Sequence, residues 1–167
     1  MIANLDGRSL AWDDAGMGPA LVLLHGFPHD RRLWSAQLAA LARQARCVAP
    51  DLAGFGESAP FAAGTAATMD AYADDVVRLL DHLAIDAATV CGLSMGGYVA
   101  FALLRRHADR VQGLVLSDTR AGADDDAGKA KRRELAALAR KEGAAAGMRT
   151  IEPRSPARPG RGPTKTP

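Results

Sequence analysis

A serine set between two glycines, in Gly92-Leu93-Ser94-Met95-Gly96, is the stretch whose residue types and spacing best suit chemistry. It follows a short apolar run over residues 88–91, which reads as a buried strand. It precedes a second apolar run over residues 98–104, which reads as a helix. A Gly-x-Ser-x-Gly turn between strand and helix holds its serine on a strained backbone with the hydroxyl facing out. Side chains at Gly92 and Gly96 would crowd that turn. The helix that begins there directs unpaired N–H groups at whatever binds beside Ser94, which suits a developing negative charge. The chemistry this predicts is attack by a hydroxyl, with the resulting oxyanion held by amides. A serine hydroxyl is a weak nucleophile until a base takes its proton, so the placement of His25, His29, His82 and His107 matters.

Two further motifs lie upstream. His25-Gly26-Phe27-Pro28 follows a continuous aliphatic run over residues 20–24, and Asp51-Leu52-Ala53-Gly54-Phe55-Gly56-Glu57-Ser58 follows a run over residues 46–50. With the Ser94 turn, these resemble the N-terminal two thirds of an α/β-hydrolase fold enzyme of the esterase and enol-lactonase kind, over residues 1–146. The resemblance implies that Ser94 is the nucleophile and that the oxyanion hole is made by the backbone N–H groups of Phe27 and Met95. It makes His25 and Gly26 parts of the oxyanion loop, with the His25 ring a structural hydrogen-bonder. It makes the Asp51 loop a glycine-built turn beside the site, with Asp51 bonding nearby backbone.

The family's base is a histidine after the last strand, oriented by an acid usually placed after the seventh strand. Neither has a counterpart in this sequence, and the resemblance implies a core without its last two strands. Asp118, at the end of the sixth strand, is the candidate acid, since some relatives place theirs there; a purely structural role for it stays open. His29 is the histidine nearest the expected site, His82 falls on a helix expected on the outer side of the sheet, and His107 stands at a helix C-terminus. The implied activity is hydrolysis of a small apolar ester or lactone through an acyl-enzyme, impaired for want of the base and using no cofactor. A serine at position 94 argues against the dehalogenase and epoxide-hydrolase branches, which need a carboxylate there. Haloperoxidase chemistry without heme uses the same site. The alternative is a non-catalytic truncated paralogue or a small-molecule-binding fragment.

The elements that must position these residues follow from patterning. Residues 2–5 and 8–13 flank Asp6-Gly7, a two-residue hairpin signal. Residues 33–43 read as a helix with Trp34, Leu38 and Leu41 on one face, and residues 69–83 as another with Ala73, Val76, Val77, Leu80 and Leu83 inward. Residues 20–24, 46–50, 88–91 and 111–116 read as strands. Their alternation with helices predicts an α/β architecture, a mainly parallel sheet flanked by helices. If residues 111–116 form the last strand, they leave an apolar sheet edge open to self-association.

Composition bounds the rest. The 167 residues suffice for one domain with a real core. No apolar run is long enough to span a bilayer and the N-terminus has no secretory pattern, so the expectation is a cytoplasmic chain with no membrane partner. Cys47 and Cys91 fall in strands and read as buried free thiols, and no His/Cys spacing suggests a metal. Residues 1–127 carry net charge −6 and residues 128–167 net +8. No aromatics interleave with the basic residues, so the segment reads as a solvated helix face and tail, and no nucleic-acid partner is expected. The expected organisation is an incomplete hydrolase core over residues 1–127, a helix opening a cap region over 128–147, and a disordered Pro/Arg-rich tail over 148–167. The abrupt switch in composition near Gly147 is what a shifted reading frame in a GC-rich gene would give.

Overall fold

The aliphatic run Ala20–Leu24 becomes a strand at the centre of the molecule. In the computed structural model, which describes residues 1–143, six strands form one sheet. They are β1 (Ile2–Leu5), β2 (Arg8–Ala15), β3 (Ala20–Leu24), β4 (Arg46–Pro50), β5 (Ala88–Leu93) and β6 (Val111–Ser117), in the order β1-β2-β4-β3-β5-β6. The β1–β2 and β2–β4 pairs are antiparallel, whereas β3 with β4, β3 with β5 and β5 with β6 are parallel. A mixed, mostly parallel sheet with helices is the architecture that the alternation of strands and helices predicts.

Local chemistry explains the ends of the elements. Asp6 (φ 51°) and Gly7 (φ 87°) take the left-handed pair of conformations that a two-residue hairpin needs, and Asn4 Oδ1 accepts from the Gly7 amide at 2.8 Å. Helix α1 (Ser35–Leu41) is preceded by a 3-10 turn over Arg31–Trp34, capped by the Asp30 carboxylate on the Arg32 amide. The single helix expected over residues 33–43 is therefore a tight turn followed by two α turns. Helix α2 (Met69–His82) starts at Thr68, whose hydroxyl accepts from Ala71 N at 3.1 Å. Helix α3 (Met95–Arg106) begins immediately after Ser94, three residues earlier than its apolar run suggests, because Gly96 and Gly97 carry no hydrophobic signal.

The sheet has an apolar layer on each face. Val22, Leu24, Val48 and Val90 pack with Tyr72, Ala73, Val76, Leu79 and Leu80 of α2 and with Val99, Ala100 and Leu103 of α3. Leu23, Cys47, Ala49 and Cys91 pack on Trp34 and Leu38. Successive residues of β3 thus face opposite layers, as the pleat requires. Both cysteines are buried free thiols, and burial raises the pKa of each.

Patterning did not reveal that α2 also buries an acid. Asp75 is ion-paired with Arg8 and with Arg78, the latter at 2.9 Å, and burial nevertheless raises its pKa. On the outer side, Asp74 meets Arg106 at 3.0 Å and His107 at 2.8 Å, joining α2 to α3.

The chain divides into two units, Met1–Gly122 and Ala123–Pro167. The first contains the sheet and α1–α3. In the second, the described residues form α4 (Asp126–Glu142). Asp125 accepts from Gly128 N at 2.8 Å, Asp126 stands in the first turn, and Arg140 and Lys141 stand in the last, which suits the helix dipole. The expectations for residues 144–147 and for the tail over 148–167 lie outside the described residues. Among the described residues, no helix is long and apolar enough to cross a membrane.

Candidate active site

β5 delivers the chain to Ser94 at the end of the sheet, and α3 leaves from it. Ser94 has φ 49° and ψ −110°, a conformation that costs an L-residue on the order of 1–3 kcal/mol. Close backbone approach sets the flanking residues. A Cβ at Gly96 would lie 2.2 Å from the Leu24 carbonyl oxygen and 2.8 Å from that of His25. A Cβ at Gly92 would lie 2.4 Å from the Gly96 carbonyl oxygen. Only glycine fits at either position without moving backbone. The Ser94 amide donates to the Ser117 carbonyl of β6 at 3.0 Å, and the Ser94 carbonyl accepts from Gly97 N at 3.0 Å and from the Thr119 hydroxyl at 2.9 Å.

The loop after β3 meets this turn. A Cβ at Gly26 would stand 3.2 Å from Ser94 Cβ, so the two motifs touch with no side chain between them. Phe27 follows, 45% exposed, its ring edge-on to Phe55 with centroids 6.0 Å apart. The Phe27 amide donates to no acceptor among the described residues. Met95 is the first residue of α3, where an N–H has no intrahelical acceptor. Ser94 itself is half-buried, and its Oγ makes no hydrogen bond among the described residues.

Three of the four histidine rings are bonded or packed elsewhere. His25 is fully buried: Nδ1 lies 3.1 Å from the Gly26 carbonyl and Nε2 accepts from Leu52 N at 3.0 Å. Burial lowers its pKa, so the ring is neutral, with its one basic lone pair committed to the Asp51 loop. His82 stacks edge-on against Trp12, 5.5 Å between centroids, and His107 bonds Asp74. His29 is exposed and its amide donates to the Gly26 carbonyl at 2.9 Å. None of the four bonds Ser94. Asp118 is exposed, has φ 43°, and makes no hydrogen bond to a histidine among the described residues.

Asp51 bonds nearby backbone as expected, and the residue that sequence reasoning missed is its partner Arg31. Asp51, 0% exposed, accepts from the Arg31 amide at 2.7 Å and the Glu57 amide at 2.8 Å, and it is ion-paired with the Arg31 guanidinium. Arg31 also reaches Asp13 at 3.2 Å and pairs with Glu57. Burial opposes the Arg31 charge, but its hydrogen bonds to Glu57, Asp13 and Asp51 outweigh that and raise its pKa. This cluster clamps the start of the 3-10 turn, just past Pro28, to the loop after β4. No local pattern marks Arg31, because its three carboxylates come from elsewhere in the chain. Among the described residues, no group of three or more His, Cys, Asp or Glu side chains is placed to hold a metal ion.

Known proteins share this fold. The alpha/beta hydrolase fold family pattern matches residues 19–150. A thermophilic esterase from Thermogutta terrifontis is 43% identical, with a TM-score of 0.78 over 86% of this chain and 54% of that one. The enol-lactonase from Burkholderia xenovorans LB400 is 33% identical, with a TM-score of 0.83 over 92% of this chain and 59% of that one. Haloalkane dehalogenase 2 from Mycobacterium bovis is 38% identical over 106 residues, 64% of this chain and 37% of its own length. The chain therefore spans a little over half of these two solved structures and less than half of that curated relative.

Two outcomes follow from the buried charges. Asp51→Asn should lower the unfolding free energy by about 3–5 kcal/mol in urea titration, because it strands the Arg31 charge. For His25, the folded-state pKa lies below the unfolded value of 6.5, so its contribution is present above pH 6.5 and lost as pH falls through the folded pKa. The stability gap between the wild type and His25→Asn should accordingly narrow between pH 7 and pH 5, by up to about 1.4 kcal/mol per pH unit below the unfolded pKa.

Proposed function

The chain belongs to the α/β-hydrolase fold family, and from that premise we propose that it is a serine hydrolase of small, apolar carboxylic esters or lactones. The observation that supports this reading is the close approach of the Ser94 turn to Gly26, where a Cβ would stand 3.2 Å from Ser94 Cβ; on this reading the hydroxyl faces the Phe27 and Met95 amides. Ser94 Oγ attacks the carbonyl carbon, and the carbonyl oxygen takes the negative charge within reach of the Phe27 and Met95 amides. Collapse of the tetrahedral adduct expels the alcohol and leaves an acyl-enzyme, which water hydrolyses to the acid. Pre-aimed amides do the electrostatic work, and removing one such donor typically costs about 10²–10³ in rate. Similarity to an esterase and an enol-lactonase supports the substrate class. The dehalogenase shares the fold, but the serine at position 94 favours acyl transfer over carboxylate attack on carbon.

The proton acceptor is the weak part of the machine. None of the chain's four histidines bonds Ser94, and Asp118 orients none of them. Loss of the base in a serine protease costs about 10⁶ in turnover and leaves about 10³–10⁴ over water. The same scale is the expectation for these 167 residues alone. This favours, as a second reading, a chain that binds small carbonyl compounds without turning them over.

A fluorophosphonate probe separates the two. Mass spectrometry of the intact protein should show one adduct, lost in Ser94→Ala; an unmodified wild type after prolonged exposure selects the binding reading.

The outer edge of β6 supports self-association. It pairs only with β5 among the described residues, and Val115 (49%) and Leu116 (45%) are exposed beside its unpaired backbone. Sedimentation should show concentration-dependent dimers that Val115→Lys abolishes; a monomer at all concentrations removes this surface.

A further inference from the structure

The second glycine of the pair after the serine, Gly97, is not explained by the Gly-x-Ser-x-Gly turn. The three atoms nearest a Cβ there all belong to Thr119: its Oγ1 at 2.4 Å, its Cγ2 at 2.5 Å and its Cβ at 2.6 Å. Gly97 is thus the space into which Thr119 fits. The hydroxyl that enters it donates to the Ser94 carbonyl at 2.9 Å. Two residues earlier, the Ser117 carbonyl accepts the Ser94 amide at 3.0 Å. Both polar groups of the Ser94 peptide backbone are therefore held by one three-residue segment at the end of β6. Asp118, between them, takes φ 43°, which lets that segment turn back onto the serine.

We propose that Thr119 is a positioning residue for the nucleophile, fixing the direction of Ser94 Oγ through the Ser94 carbonyl. The assignment rests on the acyl-transfer reading of Ser94. A residue at φ 49° and ψ −110° relaxes unless its surroundings over-determine it. The Gly97 amide, which also donates to the Ser94 carbonyl at 3.0 Å, belongs to the helix that starts at the turn. Thr119 supplies the restraint from outside that helix, so it resists rotation of the whole β5–α3 corner relative to the loop at Gly26. Displacing a reacting atom by about 1 Å can cost on the order of a hundredfold in rate. The Thr119 hydroxyl touches neither substrate nor Oγ, so its effect falls on reaction of the bound probe and not on its capture.

The test uses the full chain and diethyl p-nitrophenyl phosphate. Ser94 Oγ gives up its proton to solvent and forms the bond to phosphorus as the P–O bond to p-nitrophenolate breaks, and the coloured product gives the maximal inactivation rate and the half-saturating concentration separately. Thr119→Val keeps the shape and removes the donor. The expected result is a maximal rate lowered roughly tenfold, with half-saturation unchanged. Thr119→Ser, which restores the hydroxyl, should recover the rate to within about threefold. An unchanged rate in Thr119→Val, or loss that Thr119→Ser fails to rescue, overturns the assignment. If the wild type itself does not react, the acyl-transfer reading fails separately. Amide exchange then decides positioning: Ser94 and Gly97 should exchange at least about tenfold faster in Thr119→Val, with Val90 unchanged. Equal exchange at Ser94 and Gly97 in both proteins overturns it.

Discussion

The structure depends on one contact in which backbone meets backbone. The first turn of α3 lies against the end of β3 so closely that a methyl group at Gly96 would sit 2.2 Å from the Leu24 carbonyl oxygen. This approach forces Ser94 into its left-handed corner and brings Gly26 against it. It also aligns the start of α3 with the loop that carries Phe27. Parallel pairing makes the contact possible: β3, β4, β5 and β6 run the same way, so the loops after them emerge at one edge of the sheet. Residues 25–31, 51–58, 94–97 and 117–119 converge there although some 90 positions separate the first from the last.

What could be read from the sequence follows from what was local. The hairpin at Asp6-Gly7 announces itself because only a few residue types tolerate two successive left-handed conformations. The inner strands β3, β4 and β5 appear as short aliphatic runs because both of their faces are covered. The Ser94 motif is legible because its steric requirement lies within five residues. Boundaries were less clear where small residues dilute the pattern, as at the start of α3, or where a side-chain cap sets the end, as at Asp125. The pairings that span the fold were not legible. Arg31 reads as one of two adjacent arginines in a polar turn, and nothing nearby says that Asp13, Asp51 and Glu57 will surround it. Asp75 reads as the polar side of an amphipathic helix, yet it is buried because Arg8 and Arg78 reach it. Thr119 reads as loop, and Gly97 as a helix-weakening residue, until the two are seen to occupy one space.

The same residue types do different work here according to which lone pairs and protons are already committed. His25 is an imidazole within a few residues of a catalytic motif, but its acceptor nitrogen takes the Leu52 amide and its donor faces the Gly26 carbonyl. It ties the loop after β3 to the loop after β4 and has no lone pair left for a serine proton. Asp51 is a buried carboxylate at the same edge, but two amides and a guanidinium saturate it. Neither can enter acid–base chemistry without unmaking the loop that holds Phe27. On the acyl-transfer reading, the groups left to meet substrate are the Phe27 and Met95 amides and the Ser94 hydroxyl. A catalytic edge of this kind divides into groups whose bonding is complete, which fix positions, and groups left incomplete, which await substrate. The division follows from bonding geometry, and it sets Ser94 apart from His25, Asp51 and Arg31, whose bonding is complete.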